Sequence, residues 1–252
     1  MVFRYVSGVI EKENQVITAA EPQVRISTLS SVRPVERYDT LADRAYEQLR
    51  QALMSGSFPP GQKLTIRKLA AVLGISATPA RDAISRLLSE GVLETDANRN
   101  VSVPILDEQR LREIYILRIA LEGLAAELGT PNLGNEDIAE LEMIQSALTD
   151  AMDRGDYEGV LARNGEFHFR IYNASGIALL IQTIEQLWLK LGPSLNLLYP
   201  EYNRSRKGVR NHSNVLTALR ARDASKVRRA IESDLREGGE ELGRALSNAQ
   251  LG

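Results

Sequence analysis

The chain of 252 residues contains no cysteine, which excludes disulfide bonds and thiolate metal sites. Only two histidines are present, so at most two imidazoles are available to bind a metal. No apolar run reaches the roughly 18 residues that a membrane-spanning helix needs, and the N-terminus lacks the apolar core of a secretory signal. We therefore expect a cytoplasmic protein that makes no membrane contact.

Nothing in the overall composition indicates disorder, since hydrophobic residues make up 43% and charged residues 25% of the chain. The length allows two domains, each with its own core. The net charge of −2 is unevenly distributed: residues 1–38 and 39–104 each carry +1, whereas residues 105–252 carry −4. A domain with so little net charge could bind a polyanion only with its cations concentrated on one face.

Residues 39–104 show the element order of a winged helix-turn-helix domain. One helical stripe starts at Thr40, and a second, shorter helix follows Thr65 and ends at Gly74. A third helix is predicted from Thr78, with Thr78 as its cap and Pro79 at its first position. Residues 92–95 and 101–103 are short enough to be the two strands of a wing, and Pro104 marks the boundary. This order typically presents the third helix to the major groove of DNA.

Six side chains of this domain are candidate DNA contacts. Arg81 lies near the start of the third helix, where a bidentate pair with guanine is possible. Short hydroxyl side chains and a cation on the preceding helix suit phosphate contacts, and an arginine at the wing tip suits the minor groove. Two alternatives stay open: Arg86 as an ion-paired residue and Thr78 as a cap alone. The candidates are Arg67, Ser76, Thr78, Arg81, Arg86 and Arg99.

The rest of the chain has only helical periodicity. Breaks at proline and glycine residues predict six helices, which would form an all-helical antiparallel bundle over residues 105–252. Their predicted ranges are 107–129, 135–154, 156–174, 177–198, 204–221 and 223–248. Residues 1–38 show no sustained period and are treated as an extension of uncertain structure. The expected fold class is therefore mainly α, with a winged helix-turn-helix followed by a helical bundle.

The first domain resembles the DNA-binding domain of GntR-type bacterial transcription regulators. The resemblance lies in Ser-Gly-x-x-x-Pro-Gly at 55–61, Leu-Ala-x-x-Leu-Gly-Ile-Ser at 69–76 and Thr-Pro-x-Arg at 78–81. It implies DNA contacts at Arg67, Ser76, Thr78 and Arg81. Two positions depart from the family pattern. Ala77 replaces an arginine, which removes one contact, and Asn100 replaces a glycine of the wing, where asparagine tolerates left-handed backbone.

The second half resembles the FCD ligand-binding domain of FadR-like members of that family, in its six-helix form. The resemblance is carried by residues 116–129, 164–176 and 209–238. It implies a cavity for a small organic acid, often with a divalent metal held by one aspartate and three histidines. Here those positions are Asn164, His168, His212 and Asp234, a set that would accept zinc, manganese or nickel. The alternative is that both histidines are polar residues of a cavity without metal.

Arg118 is a further candidate for effector binding, together with Asn164, His168 and His212. It lies in an otherwise apolar helix, where an inward charge requires a partner. The resemblance implies that Arg118 holds an effector carboxylate, for which a bidentate guanidinium is suited. The alternative is a pair with Glu122, one turn further on, at the surface or the domain junction.

Three hypotheses about function follow. The first is a transcription regulator that binds a pseudo-palindromic DNA operator as a homodimer and responds to a small organic acid. The second is a DNA-binding dimer whose sensor domain has lost its ligand. The third is a metal-dependent enzyme that uses His168, His212 and Asp234, although we find no separate general base and no nucleophile triad.

Overall fold

The computed structural model describes residues 39–96, 98–199 and 205–251, and the predicted extension at 1–38 lies outside them. The described residues form nine α-helices and three short strands. The mainly α fold class is confirmed, with a winged helix-turn-helix followed by a helical bundle. We refer to residues 39–104 as the head and to residues 105–252 as the body.

The first two helices of the head begin at threonines whose side chains cap them. Helix α1 (Leu41–Met54) has a capping box, in which Thr40 Oγ1 accepts from the backbone N–H of Asp43 at 3.1 Å and the Asp43 carboxylate accepts from the N–H of Thr40. Helix α2 (Ile66–Leu73) is capped by Thr65 and ends at Gly74, whose φ of 65° is left-handed. These local signals fix where each helix starts and stops.

Helix α3 (Ala77–Ser89) begins earlier than the sequence predicts. Its N-cap is Ser76, so the prediction of Thr78 as the cap is wrong, and Pro79 is the third residue of the helix. The first turn of a helix has backbone N–H groups without intrahelical partners, so proline is tolerated there as well as at the first position. The Ser76 side chain makes no capping hydrogen bond, and Thr78 is therefore a first-turn residue.

The wing is a three-stranded antiparallel sheet in the order β1–β3–β2, formed by β1 (Lys63–Leu64), β2 (Glu94–Thr95) and β3 (Val101–Ser102). Both wing strands are found where the sequence predicts them, although they are shorter. Strand β1 was not predicted, because a strand of two residues shows no periodicity. It pairs Lys63 with Ser102 and Leu64 with Val101.

The wing turn differs from expectation in one residue. Arg99, not Asn100, has the left-handed backbone, with φ of 61°. Asn100 instead donates from its backbone and side-chain nitrogens to the Asp96 carboxylate, each at 2.8 Å. The turn is thus closed by hydrogen bonds to Asp96, and an arginine takes the conformation that asparagine or glycine adopts more cheaply.

The body consists of the six predicted helices, whose bounds are α4 (Glu108–Gly129), α5 (Asn135–Arg154), α6 (Tyr157–Asn173), α7 (Ala178–Leu195), α8 (Lys207–Arg220) and α9 (Ala224–Leu251). A short 3₁₀ turn at Asn196–Leu198 follows α7, so the predicted helix to residue 198 is split into two elements. The main core of the body is built from α4 to α9, with Phe167, Tyr172 and Ile231 almost fully buried. This core contains the polar residues described next.

Candidate functional site

The outer surface of the head carries most of the residues predicted to contact DNA. Arg67, Ser76, Thr78, Arg81 and Arg99 are all exposed. Thr78 and Arg81 are three residues apart on α3 and therefore lie on the same face of the helix. Within the described part of the chain, Arg67, Arg81 and Arg99 have no ion pair. Their charges are available to an anionic partner such as a phosphate backbone.

Arg86, the sixth candidate, is held by partners within the head. Its guanidinium lies 3.8 Å from the centroid of the Tyr46 ring and forms ion pairs with Asp43 at 3.6 Å and Glu90 at 3.4 Å. Tyr46 in turn donates its hydroxyl to the Glu90 carboxylate. The geometry fits the ion-paired alternative and gives Arg86 a role in joining α1 to α3.

The two histidines meet inside the body together with Asp234. His168 comes from α6, His212 from α8 and Asp234 from α9, and all three side chains are buried. The Nε2 atoms of the two histidines are 3.3 Å apart, and Asp234 Oδ2 is 3.3 Å from Nε2 of His168. One ligand atom of each residue lies within 4.8 Å of the others. The sequence separates His168 from His212 by 44 residues, so only the fold brings them together.

Hydrogen bonds on the far side of each imidazole fix which nitrogen faces the cluster. His212 Nδ1 lies 2.5 Å from Gln145 Oε1, and because a carbonyl oxygen only accepts, Nδ1 carries the proton. Tyr172 donates its single hydroxyl proton to Glu122 at 2.8 Å, so its oxygen accepts from His168 Nδ1 at 2.9 Å. In the tautomer with the proton on Nδ1, each Nε2 has the lone pair that a metal ligand needs, and both Nε2 atoms lie beside the Asp234 carboxylate.

The electrostatic environment favours the neutral form of His212 and the ionised form of Asp234. Burial lowers the pKa of His212 to about 3, although the negative charge of Asp234 acts to raise it. The His212 ring is therefore neutral at physiological pH. Burial by itself would raise the pKa of Asp234, but hydrogen bonds and the nearby imidazoles outweigh it, and the net pKa is lowered. Neutral imidazoles and an ionised carboxylate are the forms that bind metal ions.

The spacing of the cluster fits a tetrahedral metal site. With metal–nitrogen distances of about 2.0–2.1 Å, two ligand atoms of a tetrahedral zinc ion lie roughly 3.3 Å apart. The observed Nε2 to Nε2 distance of 3.3 Å matches that value. Gln145 and Tyr172 supply the outer hydrogen bonds that metal-binding histidines commonly have.

A small cavity of about 60 Å³ adjoins the cluster, and we call it the sensor cavity. Its lining includes Arg118, Asn164, His168, Trp188 and Asp234, so four of the predicted site residues meet here. His212 contacts His168 directly behind this lining. The fold thus assembles one site from helices α4, α6, α7 and α9.

Arg118 lies in the lining of this cavity but is already paired. Its Nε donates to Glu122 at 2.5 Å, its Nη2 donates to the second carboxylate oxygen at 3.3 Å, and both side chains are buried. The alternative of a pair with Glu122 is therefore correct in its partner, but the pair is in the interior and not at the surface. The guanidinium also lies 4.5 Å from the centroid of the Trp188 ring. An internal counter-ion thus offsets the charge that was expected to hold an effector.

Helix α7 connects the sensor cavity to the head. Trp188 lines the cavity, whereas the next residue, Leu189, is fully buried in the hydrophobic core of the head. Lys190 Nζ donates to the carbonyls of Glu90, at 2.5 Å, and Gly91, at 3.1 Å, just after the end of α3. A cation at this end also complements the helix dipole. Consecutive residues of one helix therefore contact the cavity, the core of the head and the end of α3.

Further contacts tie α7 and the turn after it to α1. Gly192 packs so closely on α1 that an added Cβ would lie 2.8 Å from the Cα of Met54 and closer still to the Leu53 carbonyl oxygen. Arg50 Nη2 forms an ion pair with Glu185 at 3.1 Å, and Asn196 donates to the carbonyl of Gly56. These contacts make the junction between head and body a packed interface.

Sequence reasoning missed the residues that surround the histidines. Tyr172 follows His168 by four positions, at helical spacing, and this periodicity was an available signal. Glu122 was predicted as a partner of Arg118, but not as the acceptor of the Tyr172 hydroxyl. Gln145 is 67 residues from His212, and nothing in the sequence links them. The residues Lys190 and Gly192 were likewise missed, because their roles depend on contacts with the head.

Comparison with known proteins identifies both parts of the chain. Residues 41–103 match the family model for bacterial regulatory proteins of the gntR family, and residues 113–237 match the model for the FCD domain. Among the described residues, no helix combines the length and apolarity needed to cross a bilayer.

Two relatives extend over most of the chain. The transcriptional regulator McbR of Escherichia coli (strain K12) is 34% identical over 197 residues, covering 77% of this chain and 89% of McbR. A solved structure of Escherichia coli McbR aligns with a TM-score of 0.77 and 32% identity over 81% of this chain and 98% of that one. A probable D-xylose utilization operon repressor of Paenarthrobacter nicotinovorans is 26% identical over 76% of this chain and 84% of its own.

These relatives are transcription regulators and not enzymes, which does not support the hypothesis of a metal-dependent enzyme. In this chain, as in such regulators, the DNA-binding domain precedes the FCD domain. The chain therefore belongs to the gntR family of bacterial regulatory proteins, and it is a DNA-binding transcription regulator with an FCD sensor domain.

Proposed function

We propose that this regulator binds a pseudo-palindromic operator as a homodimer and that a small organic acid, bound at a metal ion in the sensor cavity, changes its DNA affinity. The head, residues 39–104, would read DNA, and the body, residues 105–252, would bind the effector and the second subunit. The observation that carries the sensor proposal is the placement of two imidazoles and one buried carboxylate with ligand atoms within 4.8 Å of one another.

The DNA contacts proposed are those with exposed, unpaired side chains. Arg81 would contact a base from α3, Ser76 and Thr78 the phosphates beside it, Arg67 the phosphates beside α2, and Arg99 the minor groove. Their exposure supports these roles. Arg86 is assigned to the internal contact with Tyr46.

The metal ligands proposed are His168, His212 and Asp234, with Asn164 or water completing the coordination. When bound, a divalent cation such as zinc, nickel or manganese would supply a Lewis-acidic positive charge to the cavity. The net charge of the sensor cavity favours an anionic effector only when a divalent cation is bound. Arg118 and Glu122 cancel each other, so the metal-free site has the single negative charge of Asp234, whereas a divalent ion makes the site positive.

A metal-loading experiment tests this site on the full-length protein. After treatment with a chelator, zinc is added, and bound metal and the thermal midpoint are measured for the wild type and Asp234→Asn. Zinc at about 100 times its Kd is expected to stabilise the wild type by roughly 2.7 kcal/mol. The matched control is Asp153→Asn, which removes a carboxylate exposed on α5.

The two outcomes separate the hypotheses. Loading of the wild type and of Asp153→Asn, but not of Asp234→Asn, supports the metal centre. Failure of the wild type to retain zinc would favour a regulator whose sensor domain works without this metal, and equal retention by Asp234→Asn would show that Asp234 is not a ligand. Screening organic acids against the loaded protein by the same thermal shift would then identify the effector class.

The dimer contact is assigned to the outer face of α4 and the neighbouring groove along α9. Four large apolar residues of α4 are more than a third exposed, and a helical rotation of 100° per residue places them within about a third of the circumference. They are Ile116, Leu117, Leu124 and Leu128. The adjacent groove has a volume of about 730 Å³ and includes Gly239, Gly243 and Ser247, small residues at four-residue spacing that allow a helix to approach closely.

This surface would bind a second copy of the chain, because in an isologous contact both subunits present the same apolar patch. The charge-bearing variant Leu117→Lys should convert the dimer to a monomer in light scattering and weaken binding to a two-half-site operator. The matched control Met143→Lys changes an exposed apolar residue on α5 instead. A variant that stays dimeric would show that the contact lies elsewhere.

A further inference from the structure

The junction of head and body contains a crevice that is separate from the sensor cavity. It lies between the C-terminal half of α1, with the turn that follows, and helix α6, and its volume is about 490 Å³. Ligand pockets commonly have volumes of about 300–1,000 Å³. By size, therefore, the crevice is suited to a small molecule, whereas the sensor cavity of about 60 Å³ admits only a compact group.

Aromatic and apolar side chains line the inner part of the crevice. Trp188 and Phe169 lie here with their ring centroids 5.3 Å apart, inclined at 60°. Gly165 lies beside the indole, because a Cβ added there would lie 3.8 Å from Trp188 Cζ3, in ordinary contact with it. Trp188 is almost fully buried, so the half-buried ring of Phe169 is the aromatic face that a ligand would meet first. A larger side chain at residue 165 would fill the space beside both rings. An aromatic ligand is favoured by such an aromatic surface.

The polar groups of the crevice have a one-sided charge. Glutamines and serines from the head and two glutamates from the body, Glu158 and Glu166, line it, and the described lining contains no lysine, arginine or histidine. Glu166 is ion-paired with Arg163, which lies outside the lining, so the negative charge of the crevice rests mainly on Glu158. Glu158 accepts a hydrogen bond from Ser57, across the junction. An anion would be repelled here, whereas a neutral or positively charged molecule would find hydrogen-bond partners.

Trp188 belongs to the walls of both the crevice and the sensor cavity. On the cavity side its ring lies under the Arg118 guanidinium and 5.7 Å from the His168 ring, centroid to centroid. A molecule in the crevice would therefore contact the same indole that borders the sensor cavity. It would also contact α1 of the head and α6 of the body together.

We propose that this crevice is a second ligand site, specific for a neutral or cationic aromatic molecule and distinct from the site for the organic acid. The proposal goes beyond the metal and effector site, and it does not require metal to be bound. The sensor cavity with a bound metal ion would prefer an anion. The crevice, with its carboxylates and aromatic rings, would prefer a neutral or cationic molecule.

Two fluorescent probes that share an aromatic body test the charge preference. N-phenyl-1-naphthylamine is neutral, and 8-anilino-1-naphthalenesulfonate has a similar ring system with a sulfonate. Trp188 is the only tryptophan in the chain, so energy transfer from tryptophan to a bound probe reports binding near this residue. The neutral probe should show transfer and bind roughly tenfold or more tightly than the sulfonate, a difference of about 1.4 kcal/mol.

Variants of the full-length protein locate the probe. Gly165→Leu should fill the crevice and weaken the neutral probe by roughly tenfold or more. Asn173→Leu adds the same side chain to α6 at an exposed position outside the crevice and should leave binding unchanged. If Gly165→Leu fails to fold, Gln48→Lys replaces it, since residue 48 is exposed and adds a cation to the lining that should raise sulfonate affinity.

Three results would overturn the proposal. They are equal affinity of the wild type for both probes, unchanged affinity in Gly165→Leu, and unchanged sulfonate affinity in Gln48→Lys. Each is independent of metal loading and of DNA binding, so failure here leaves the proposed sensor function standing, and failure of metal binding leaves the crevice standing.

Discussion

The close approach of Gly192 to α1 predicts that adding one methyl group will loosen the junction between head and body. In Gly192→Ala the new Cβ would lie 2.8 Å from the Cα of Met54, and closer still to the carbonyl oxygen of Leu53. These obstacles are backbone atoms, so a side-chain rotation cannot relieve the clash. Helix α7 has to shift away from α1, and the packing of Leu189 in the head must change with it.

The magnitude follows from two opposing effects. Replacing a glycine inside a helix by alanine stabilises the helix by about 0.5–1 kcal/mol. Overpacking against a rigid neighbour costs roughly 1–3 kcal/mol. For Gly192→Ala the second effect dominates, and we expect a net loss of about 1–2 kcal/mol of unfolding free energy. Gly165→Ala is the matched control, because its Cβ would lie 3.8 Å from the nearest atom and only the stabilising effect remains.

The assay is urea unfolding of both variants, combined with an effector titration of operator affinity. Gly192→Ala should lower the urea midpoint and weaken the effect of the effector on DNA binding, because the helix that joins the two sites is displaced. Gly165→Ala should leave the midpoint equal or higher. Equal midpoint shifts for both variants would refute the reasoning, since the shared change in helix propensity would then be the whole effect.

Four further predictions concern the candidate sites. Arg81→Ala should weaken operator binding roughly tenfold or more in a gel-shift titration, as the loss of a base contact worth about 1–3 kcal/mol requires. Arg86→Ala should instead leave operator affinity nearly unchanged and lower the unfolding free energy by about 0.5–1 kcal/mol through its lost contact with Tyr46; a large loss of DNA affinity would reinstate Arg86 as a contact. Tyr172→Phe removes the hydroxyl that orients His168 and should weaken zinc binding about 10–100-fold by competition titration, whereas unchanged affinity would make this hydrogen bond dispensable. In chelated protein, the unfolding free energy should fall as the pH falls from 6.5 towards 3, because burial lowers the pKa of His212 to about 3 and only the unfolded chain takes up its proton in that range. The slope should be smaller in His212→Gln, and equal slopes in urea unfolding would contradict the assignment.

Much of the fold was predictable because its signals are local. The caps at Thr40 and Thr65, the left-handed Gly74 and the apolar stripes of the body each act over a single helical turn. The errors were local too. The start of α3 at Ala77 and the left-handed Arg99 lie where several neighbouring residues are compatible with the same turn. In the wing, the hydrogen bonds to Asp96 decide between them.

The candidate site was only partly predictable. Resemblance to a family indicated His168, His212, Asp234 and Asn164, but residues alone gave no reason to join histidines 44 positions apart. A buried Arg118 needs an acidic partner, and Glu122, one helical turn further on, was identifiable from its spacing. That the pair would be buried beside the histidines, with Tyr172 between them, could not be read from spacing.

The sequence by itself determined where helices begin and end, which faces are apolar and which arginines stay in solvent, because these properties depend on neighbours within a few residues. Only the tertiary structure decided that α6, α8 and α9 bring two imidazoles and a carboxylate to one point. It alone also decided that α7 inserts Leu189 into the head while Trp188 borders two cavities. The physical reason is that such contacts join residues far apart in the chain, and they form only when the packing of whole helices fixes distances to within an ångström.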